Sequence, residues 1–333
     1  MKVAINGFGR IGRSVFRILN TKEDVNIVAI NDIFDKGALT YLLKYDTVMG
    51  RFPDEVTLEG DMLKTGSQSV KLIAERDPSN LPWGELGVDI VIESTGIFRQ
   101  REQLENHLKA GAKRVVLTVP SKDEIDYTLV IGVNDDGLNE NHRIISNASC
   151  TTNCLAPMAK ILNDEYGIDY GVINTIHAYT NDQRLADVQH SDWRRSRAAA
   201  ENIIPTTTGA ARAVGKVLPE LEGKLDGIAM RVPVPDGSVV DGVFRLKKDT
   251  TVKDINELVL DISEKESMKN VVEYSTLPVV STDIIGNPHS SIFDAPFTKV
   301  IDSSLVKTLN WYDNEWGYSN RVADLVNILS RFN

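Results

Sequence analysis

Lys2-Val3-Ala4-Ile5-Asn6-Gly7-Phe8-Gly9-Arg10-Ile11-Gly12 decides the fold. The first four residues make a short apolar strand, Gly7 to Gly12 spell G-x-G-x-x-G, and Arg13 to Leu19 continues as an amphipathic helix. Gly7 permits a tight turn, Gly9 lets the backbone approach a pyrophosphate, and Gly12 lets the helix pack close to the strand. The helix N-terminus then offers its unpaired N–H groups to the phosphates. A second strand, Val25 to Ile30, ends at Asn31-Asp32, where an acidic residue about twenty positions past the glycines is placed to bond the adenosine ribose hydroxyls. The stretch therefore predicts dinucleotide binding by Asn6, Gly7, Gly9, Arg10, Ile11, Gly12 and Asp32. Because the Asp32 carboxylate accepts from a 2′-hydroxyl and repels a 2′-phosphate, the expected cofactor is NAD.

Downstream, strands and helices alternate as a parallel, doubly wound sheet requires. Val88 to Glu93 reads as a buried strand ending in Ser94-Thr95-Gly96, Arg101 to Ala110 as a helix closed by Gly111, and Arg114 to Thr118, Tyr127 to Gly132 and Arg143 to Ser146 as further strands. Ligands bind at strand C-terminal ends in such sheets, which draws Arg76, Thr95, Gly96 and Thr118 toward the cofactor. After Cys150 the pattern changes. Gly227 to Val232 and Ser238 to Leu246 suggest long antiparallel strands, while Val252 to Glu266 and Ser303 to Leu309 look less regular. The domain boundary falls near Ser149.

Ser146-Asn147-Ala148-Ser149-Cys150-Thr151-Thr152-Asn153-Cys154 sets a cysteine among small hydroxyl residues ahead of a helical segment, Ala156 to Leu162, with Pro157 suited to its first turn. A thiol at a helix N-terminus feels the positive end of the macrodipole, so its thiolate is favoured near neutral pH. His177 closes the apolar, strand-like run Tyr170 to Ile176, and Cys150 with His177 makes a candidate nucleophile and base. A core thiol or half of a metal site with Cys154 are the other readings of this cysteine. Zinc would need two more ligands, and His107, His142, His177, His190 and His289 show no paired spacing, so no metal is expected.

Composition excludes several classes. The 333 residues are 42% hydrophobic, enough for a large core split between two domains. A formal net charge of −10 repels polyanions, so neither a nucleic acid nor an anionic membrane is an expected partner. No apolar stretch approaches the roughly 20 residues of a membrane helix. With two cysteines and no signal-peptide pattern ahead of Met1-Lys2-Val3, the expected compartment is the cytoplasm.

Three stretches now carry a resemblance that covers essentially the whole chain. Ala4 to Arg13, Ser146 to Pro157 and Trp311-Tyr312-Asp313-Asn314-Glu315 resemble the signatures of the phosphorylating glyceraldehyde-3-phosphate dehydrogenase family. The resemblance implies an α/β fold: a Rossmann domain over 1–149, completed by a C-terminal helix at about 314–333, and an α+β catalytic domain over 150–313 with a mixed, largely antiparallel sheet. It implies a homotetramer, and it adds Asn314 to the NAD contacts. The implied chemistry is addition of Cys150 to the aldehyde of glyceraldehyde 3-phosphate, hydride loss to NAD, and attack of inorganic phosphate on the resulting thioester. His177 would pair with Cys150 as imidazolium with thiolate and then serve as general base, and the Cys150 N–H would help hold the oxyanion. By the same resemblance Thr180 and Arg231 hold the substrate's phosphate. Ser149, Thr151, Thr208 and Gly209, with Arg195, hold the attacking one, since hydroxyls, N–H groups and guanidinium match phosphate oxygens.

The chain departs from the commonest NAD-specific pattern at Val188-Gln189, where Leu-Pro is usual ahead of the loop histidine, and at Ile33-Phe34-Asp35-Lys36 after Asp32. Such substitutions accompany NADP tolerance in some relatives, which leaves the strictness of the NAD preference open. Erythrose-4-phosphate dehydrogenase is the nearest alternative, although His177-Ala178-Tyr179-Thr180-Asn181-Asp182 looks more like the triose enzyme. A semialdehyde or acyl-phosphate reductase is more distant. A non-enzymatic dinucleotide-binding protein is the alternative of another class, and it would be expected to lose Cys150, His177 or Arg231.

Overall fold

Asn6 stands in register with Asn31 on one side and Glu93 on the other, so three parallel strands, Lys2–Asn6, Asn26–Asn31 and Ile90–Glu93, end level with one another. The structure is a computed structural model that describes residues 1–332, and these strands lie at the centre of a nine-stranded sheet. Outward on one side come Arg114–Leu117, Ile144–Ser146 and Tyr127–Thr128, all parallel. On the other side Ser69–Ile73 is parallel, and the short hairpin Met62–Lys64 and Thr57–Glu59 closes the edge antiparallel. Val3, Ala4, Ile5, Ile90, Val91 and Ile92 are fully buried, as strands covered on both faces must be. The helix Lys36–Lys44 begins where the Asp35 carboxylate accepts the Ala38 N–H at 2.8 Å, which satisfies one orphan donor of its first turn.

The chain divides into two compact units. Met1–Leu129, Asp136–Ser149 and the chain from Ser319 onward form the first, and Val130–Asp135 with Cys150–Tyr318 forms the second. In the second, an eight-stranded mixed sheet runs Ile204–Thr207, Leu225–Val232, Ile168–Ala178, Ser238–Leu246, Leu305–Tyr312, Ser291–Asp294, Val272–Ser275, and Lys299–Ile301 pairs with Leu305–Tyr312 off this path. The helix Cys150–Tyr166 packs on this sheet.

Several local expectations are corrected. The strand expected over Tyr127 to Gly132 stops at Thr128, because Asn134 accepts the Val130 N–H and Asp135 the Gly132 N–H, so local turns take the donors a ladder would use. Leu225–Val232 is antiparallel only to Ile204–Thr207; beside Ile168–Ala178 it runs parallel, a pairing that the intervening helix Ala210–Val217 makes possible as a crossover. Val252–Ser263 is a regular helix opened by a Thr251–Asp254 capping box, with Ile255, Val259 and Ser263 buried at fourfold spacing. Leu305–Tyr312 is an unbroken strand whose inward positions include Thr308 and Asn310, polar residues that hide the alternation. Finally, the helix after the cysteine starts at Cys150, so Pro157 lies in its interior. Near-complete burial from Thr151 to Ala159 outweighs the hydrogen bond that proline removes.

Candidate active site

The sheet register of the second unit brings the catalytic candidates together. His177 and Arg231 face each other across the parallel pair Ile168–Ala178 and Leu225–Val232, and neighbours at one rung project to the same side. Arg231 Nη1 lies 2.7 Å from His177 Nδ1 and donates to the Ala178 carbonyl at 3.0 Å, while His177 Nδ1 is 2.7 Å from that same carbonyl. His177 Nε2 lies 3.5 Å from Cys150 Sγ. Cys150 is partly exposed as the first residue of its helix, reached through a turn in which Ala148 holds a left-handed φ of 53°. The Ser146 hydroxyl secures that turn by accepting the Ala148 N–H at 3.1 Å and donating to the Val119 carbonyl at 2.8 Å. A non-glycine residue held this way is a strained feature of the kind that clusters at reactive centres.

Electrostatics correct one expectation. Burial pushes the Cys150 thiol above its ordinary value; the Arg231 guanidinium, the Thr151 hydroxyl and the Thr151 N–H pull it back down, and Asp236 opposes them. Burial and the same guanidinium push His177 down to about 3. Both causes favour a neutral imidazole at rest over the expected imidazolium, and the cation that favours a Cys150 thiolate is Arg231. Cys154 is fully buried against Ser291 and the Asn310 carbonyl, its thiol pushed well up by burial, as befits an inert core cysteine.

The remaining anion candidates differ in how their groups are engaged. Thr151 is buried, with its hydroxyl 2.8 Å from that of Tyr312, which also meets Thr175 at 2.8 Å; Tyr312 sits edge-on to His177. The Thr208 hydroxyl accepts the Ala210 N–H at 3.2 Å, and exposed Gly209 precedes the helix Ala210–Val217. Thr180 is half-buried, its N–H on the Gln183 side chain. Arg195 is tied down by donating to the Thr206 hydroxyl of the strand Ile204–Thr207 at 2.9 and 2.8 Å and to Asp182. By contrast, the buried Arg231 Nε has no hydrogen-bond partner, a donor that suits an anion. Ser149 is half-buried immediately ahead of the helix.

In the first unit the glycine turn fits a dinucleotide. Gly7 has φ +92°, and a Cβ there would sit 2.6 Å from the Thr95 N; a Cβ on Gly12 would sit 2.1 Å from the Gly7 carbonyl. Over Gly9 a Cβ would meet nothing within 4 Å, so the loop is open where a pyrophosphate must approach. The Asp32 carboxylate accepts the Phe8 N–H at 2.7 Å and the Phe34 N–H at 3.1 Å, bracing the turn it follows. Arg10 heads the helix Arg10–Leu19 with Ile11 and pairs with Asp46. Gly96 is exposed at φ +71°, Thr118 is buried with its hydroxyl on the Glu93 carbonyl, and Arg76 is exposed after Ser69–Ile73.

Sequence reasoning missed what lies beneath this crest. Fully buried Glu93 accepts from the Asn6 amide, from the Thr95 N–H and hydroxyl, and from His107 Nε2 at 3.0 Å. Trp83 Nε1 donates to His107 Nδ1 at 3.0 Å, which fixes the tautomer, and Asn31 donates to Asn6 at 2.7 Å. The side chains of Asn6 and Thr95 thus serve this network. Ser238 and Tyr312 were missed as well; only the placing of a polar residue among inward strand positions could have flagged them.

A glycine crest at parallel strand ends, with a thiol, imidazole and guanidinium cluster elsewhere in the chain, is the arrangement of a dinucleotide-dependent dehydrogenase with a thiol as its candidate nucleophile. The comparisons make this particular. Residues 1–101 match the model for "Glyceraldehyde 3-phosphate dehydrogenase, NAD binding domain" and residues 149–314 that for its "C-terminal domain". The chain is 55% identical over 326 residues to a glyceraldehyde-3-phosphate dehydrogenase of Geobacillus stearothermophilus, covering 98% of this chain and 97% of that one. It is 54% identical to one of Borreliella burgdorferi, at 98% of both chains, and 52% identical to one of Mycolicibacterium smegmatis, at 99% of both. The chain belongs to the glyceraldehyde-3-phosphate dehydrogenase family and is an NAD-dependent oxidoreductase.

Proposed function

We propose that this chain converts glyceraldehyde 3-phosphate, NAD and inorganic phosphate into 1,3-bisphosphoglycerate and NADH, with Cys150 and His177 as the catalytic residues. The observation that carries the reading is the alignment of Cys150 Sγ, His177 and Arg231, with an unpartnered N–H on the same guanidinium that contacts His177. The sulfur forms a bond to the aldehyde carbon, and the thiol proton passes to the carbonyl oxygen through His177 Nε2, giving a thiohemiacetal. His177 then takes the hydroxyl proton as the carbon gives up its hydride, leaving a thioester on Cys150. NAD, when bound, supplies the hydride acceptor. A phosphate oxygen next attacks the thioester carbon, the carbon–sulfur bond breaks, and Cys150 leaves as thiolate to be reprotonated.

Thr180 and Arg231 hold the phosphate already on the substrate, and Ser149, Thr151, Thr208, Gly209 and Arg195 the incoming one. The cofactor is held by Asn6, Gly7, Gly9, Arg10, Ile11, Gly12, Asp32, Arg76, Thr95, Gly96, Thr118 and Asn314. Residues 1–149, completed from about 314 onward, are the proposed cofactor domain and 150–313 the catalytic one; the compact units differ from these bounds in placing 130–135 and 314–318 with the second. Exposed Tyr170, Val172 and Ile228 on adjacent strands, with Leu185 and Trp193 about as exposed as side chains become, support assembly with further copies, read here as a homotetramer. No helix of the described residues is long and apolar enough to cross a membrane, and the compartment proposed is the cytoplasm. The test is NAD reduction with glyceraldehyde 3-phosphate or erythrose 4-phosphate, each with and without inorganic phosphate. Turnover indifferent to phosphate or arsenate would remove the phosphorylating reading and favour erythrose 4-phosphate.

A further inference from the structure

Ser238 opens the strand Ser238–Leu246 with no exposed surface, and its hydroxyl oxygen lies between two groups of different kind. On one side it accepts the Ala178 N–H at 3.0 Å. On the other it lies 2.6 Å from the Asn314 side-chain oxygen. A backbone N–H can only donate, so the serine oxygen receives there, and its single proton is left for Asn314. The atom of Asn314 facing the serine must accept, which makes it Oδ1 and turns the Nδ2 donors the other way. Asn314 itself is 5% exposed, in the short turn between Leu305–Tyr312 and Trp316–Leu329. That turn is fixed by Asp313, whose carboxylate accepts the Gly286, Glu315 and Trp316 N–H groups at 2.8, 2.9 and 2.6 Å. The backbone at Asn314 is therefore set by Asp313, while the sense of its amide is set by Ser238.

We propose that Ser238 is a positioning residue for cofactor binding: by donating to Asn314 Oδ1 it presents the Asn314 amide as a donor, matched to the carbonyl oxygen of the nicotinamide carboxamide. The inference rests on the reading of Asn314 as an NAD contact. Ala178, whose N–H the serine receives, follows His177 in the strand, so Asn314 is assigned to the pyridine end of the cofactor, which takes the hydride, and not to the adenosine end. A methyl in place of the hydroxyl frees the amide to turn, and half of its orientations then oppose an oxygen with an oxygen.

The experiment is equilibrium binding of NAD and of ADP-ribose, which lacks the nicotinamide, to wild type, Ser238→Ala, Ser238→Thr, Asn314→Ala and the double alanine variant. Ser238→Ala is expected to weaken NAD about tenfold, the effect of one lost hydrogen bond, and to leave ADP-ribose unchanged. Ser238→Thr, which keeps the hydroxyl, returns NAD affinity toward wild type, and the double variant binds NAD no worse than Asn314→Ala, because both changes remove one interaction. Equal weakening of NAD and ADP-ribose in Ser238→Ala, or additive losses in the double variant, would overturn the positioning role. Asn314→Ala with wild-type NAD affinity would instead overturn the reading of Asn314 as a cofactor contact, a separate failure.

Discussion

His177 and Arg231 occupy one rung of adjacent parallel strands, and the guanidinium Nη1 stands 2.7 Å from the imidazole Nδ1. The same cation thus acts on both members of the proposed catalytic pair, with opposite consequences. It favours the Cys150 thiolate and disfavours a protonated His177. The ladder register fixes this relationship, so it holds before any substrate arrives.

Replacing Arg231 by leucine should therefore move two titrations upward together. The thiol loses the charge that pulls it down, so iodoacetamide alkylation of Cys150 shifts to higher pH. His177 loses the lesser of the two causes that hold it down, burial being the larger and remaining, so the acid limb of activity moves up from about 3 but stays below the ordinary histidine range near 6.5. The stability consequence has a definite sign: the unfolded chain takes up this proton near 6.5, the folded one refuses it until about 3, and stability falls as pH drops through that window. Arg231→Leu narrows the window, so its melting temperature should fall less steeply with acid than that of wild type. A variant whose alkylation profile overlays the wild-type one would show that the guanidinium does not act on the sulfur.

Cys150→Ser should reduce aldehyde oxidation to background while leaving NAD binding intact. His177→Asn should slow hydride transfer by about 10²–10⁴, the range for a lost general base. Iodoacetamide should label Cys150 ahead of Cys154, because the latter is fully buried and its thiol is pushed up. Peptide mapping of the labelled protein checks the order, and a first label on Cys154 would contradict the assignment.

What could be read from the chain differed between the two units for a physical reason. Parallel strands buried on both faces appear as plain apolar runs, so Lys2–Asn6, Ile90–Glu93 and Arg114–Leu117 were visible within two residues at either end. In the second unit the inward side chains of Leu305–Tyr312 include Thr308 and Asn310, and the alternation was masked. Cys150 and His177 stood out by local context, and tertiary pairing brings them within 3.5 Å. Glu93, His107 and Trp83 could not be assigned, since each is an ordinary residue until the sheet and the helix Arg101–Lys109 bring them into one buried network. The thiol's titration was misjudged because the helix terminus is visible in sequence and the desolvation is not.

Two glycines of the turn give a paired test of why each is there. A methyl at Gly12 collides with the Gly7 carbonyl, so Gly12→Ala should lower the melting temperature and abolish NAD binding together. A methyl at Gly9 meets no protein atom within 4 Å, so Gly9→Ala should fold with wild-type stability and still bind NAD at least about tenfold more weakly, because the methyl occupies the approach of the pyrophosphate. Thermal denaturation and NAD titration on the two variants separate the cases. Unchanged affinity in Gly9→Ala would move the pyrophosphate away from this loop.

Asp32 has two duties that substitution can separate. Its carboxylate accepts the Phe8 and Phe34 N–H groups, and it carries the charge that repels a 2′-phosphate. Asp32→Gly removes both, so it should weaken NAD as well as relieve the repulsion, and the gain in relative NADP use is then accompanied by a loss of turn rigidity. Asp32→Asn keeps one amide oxygen as an acceptor and removes only the charge. It should therefore raise kcat/KM for NADP while costing NAD less than the glycine variant does. Steady-state kinetics of both variants with both cofactors measures the split. If wild type uses NADP as well as NAD, the carboxylate is not the discriminator, and the departure at Val188-Gln189 becomes the place to look.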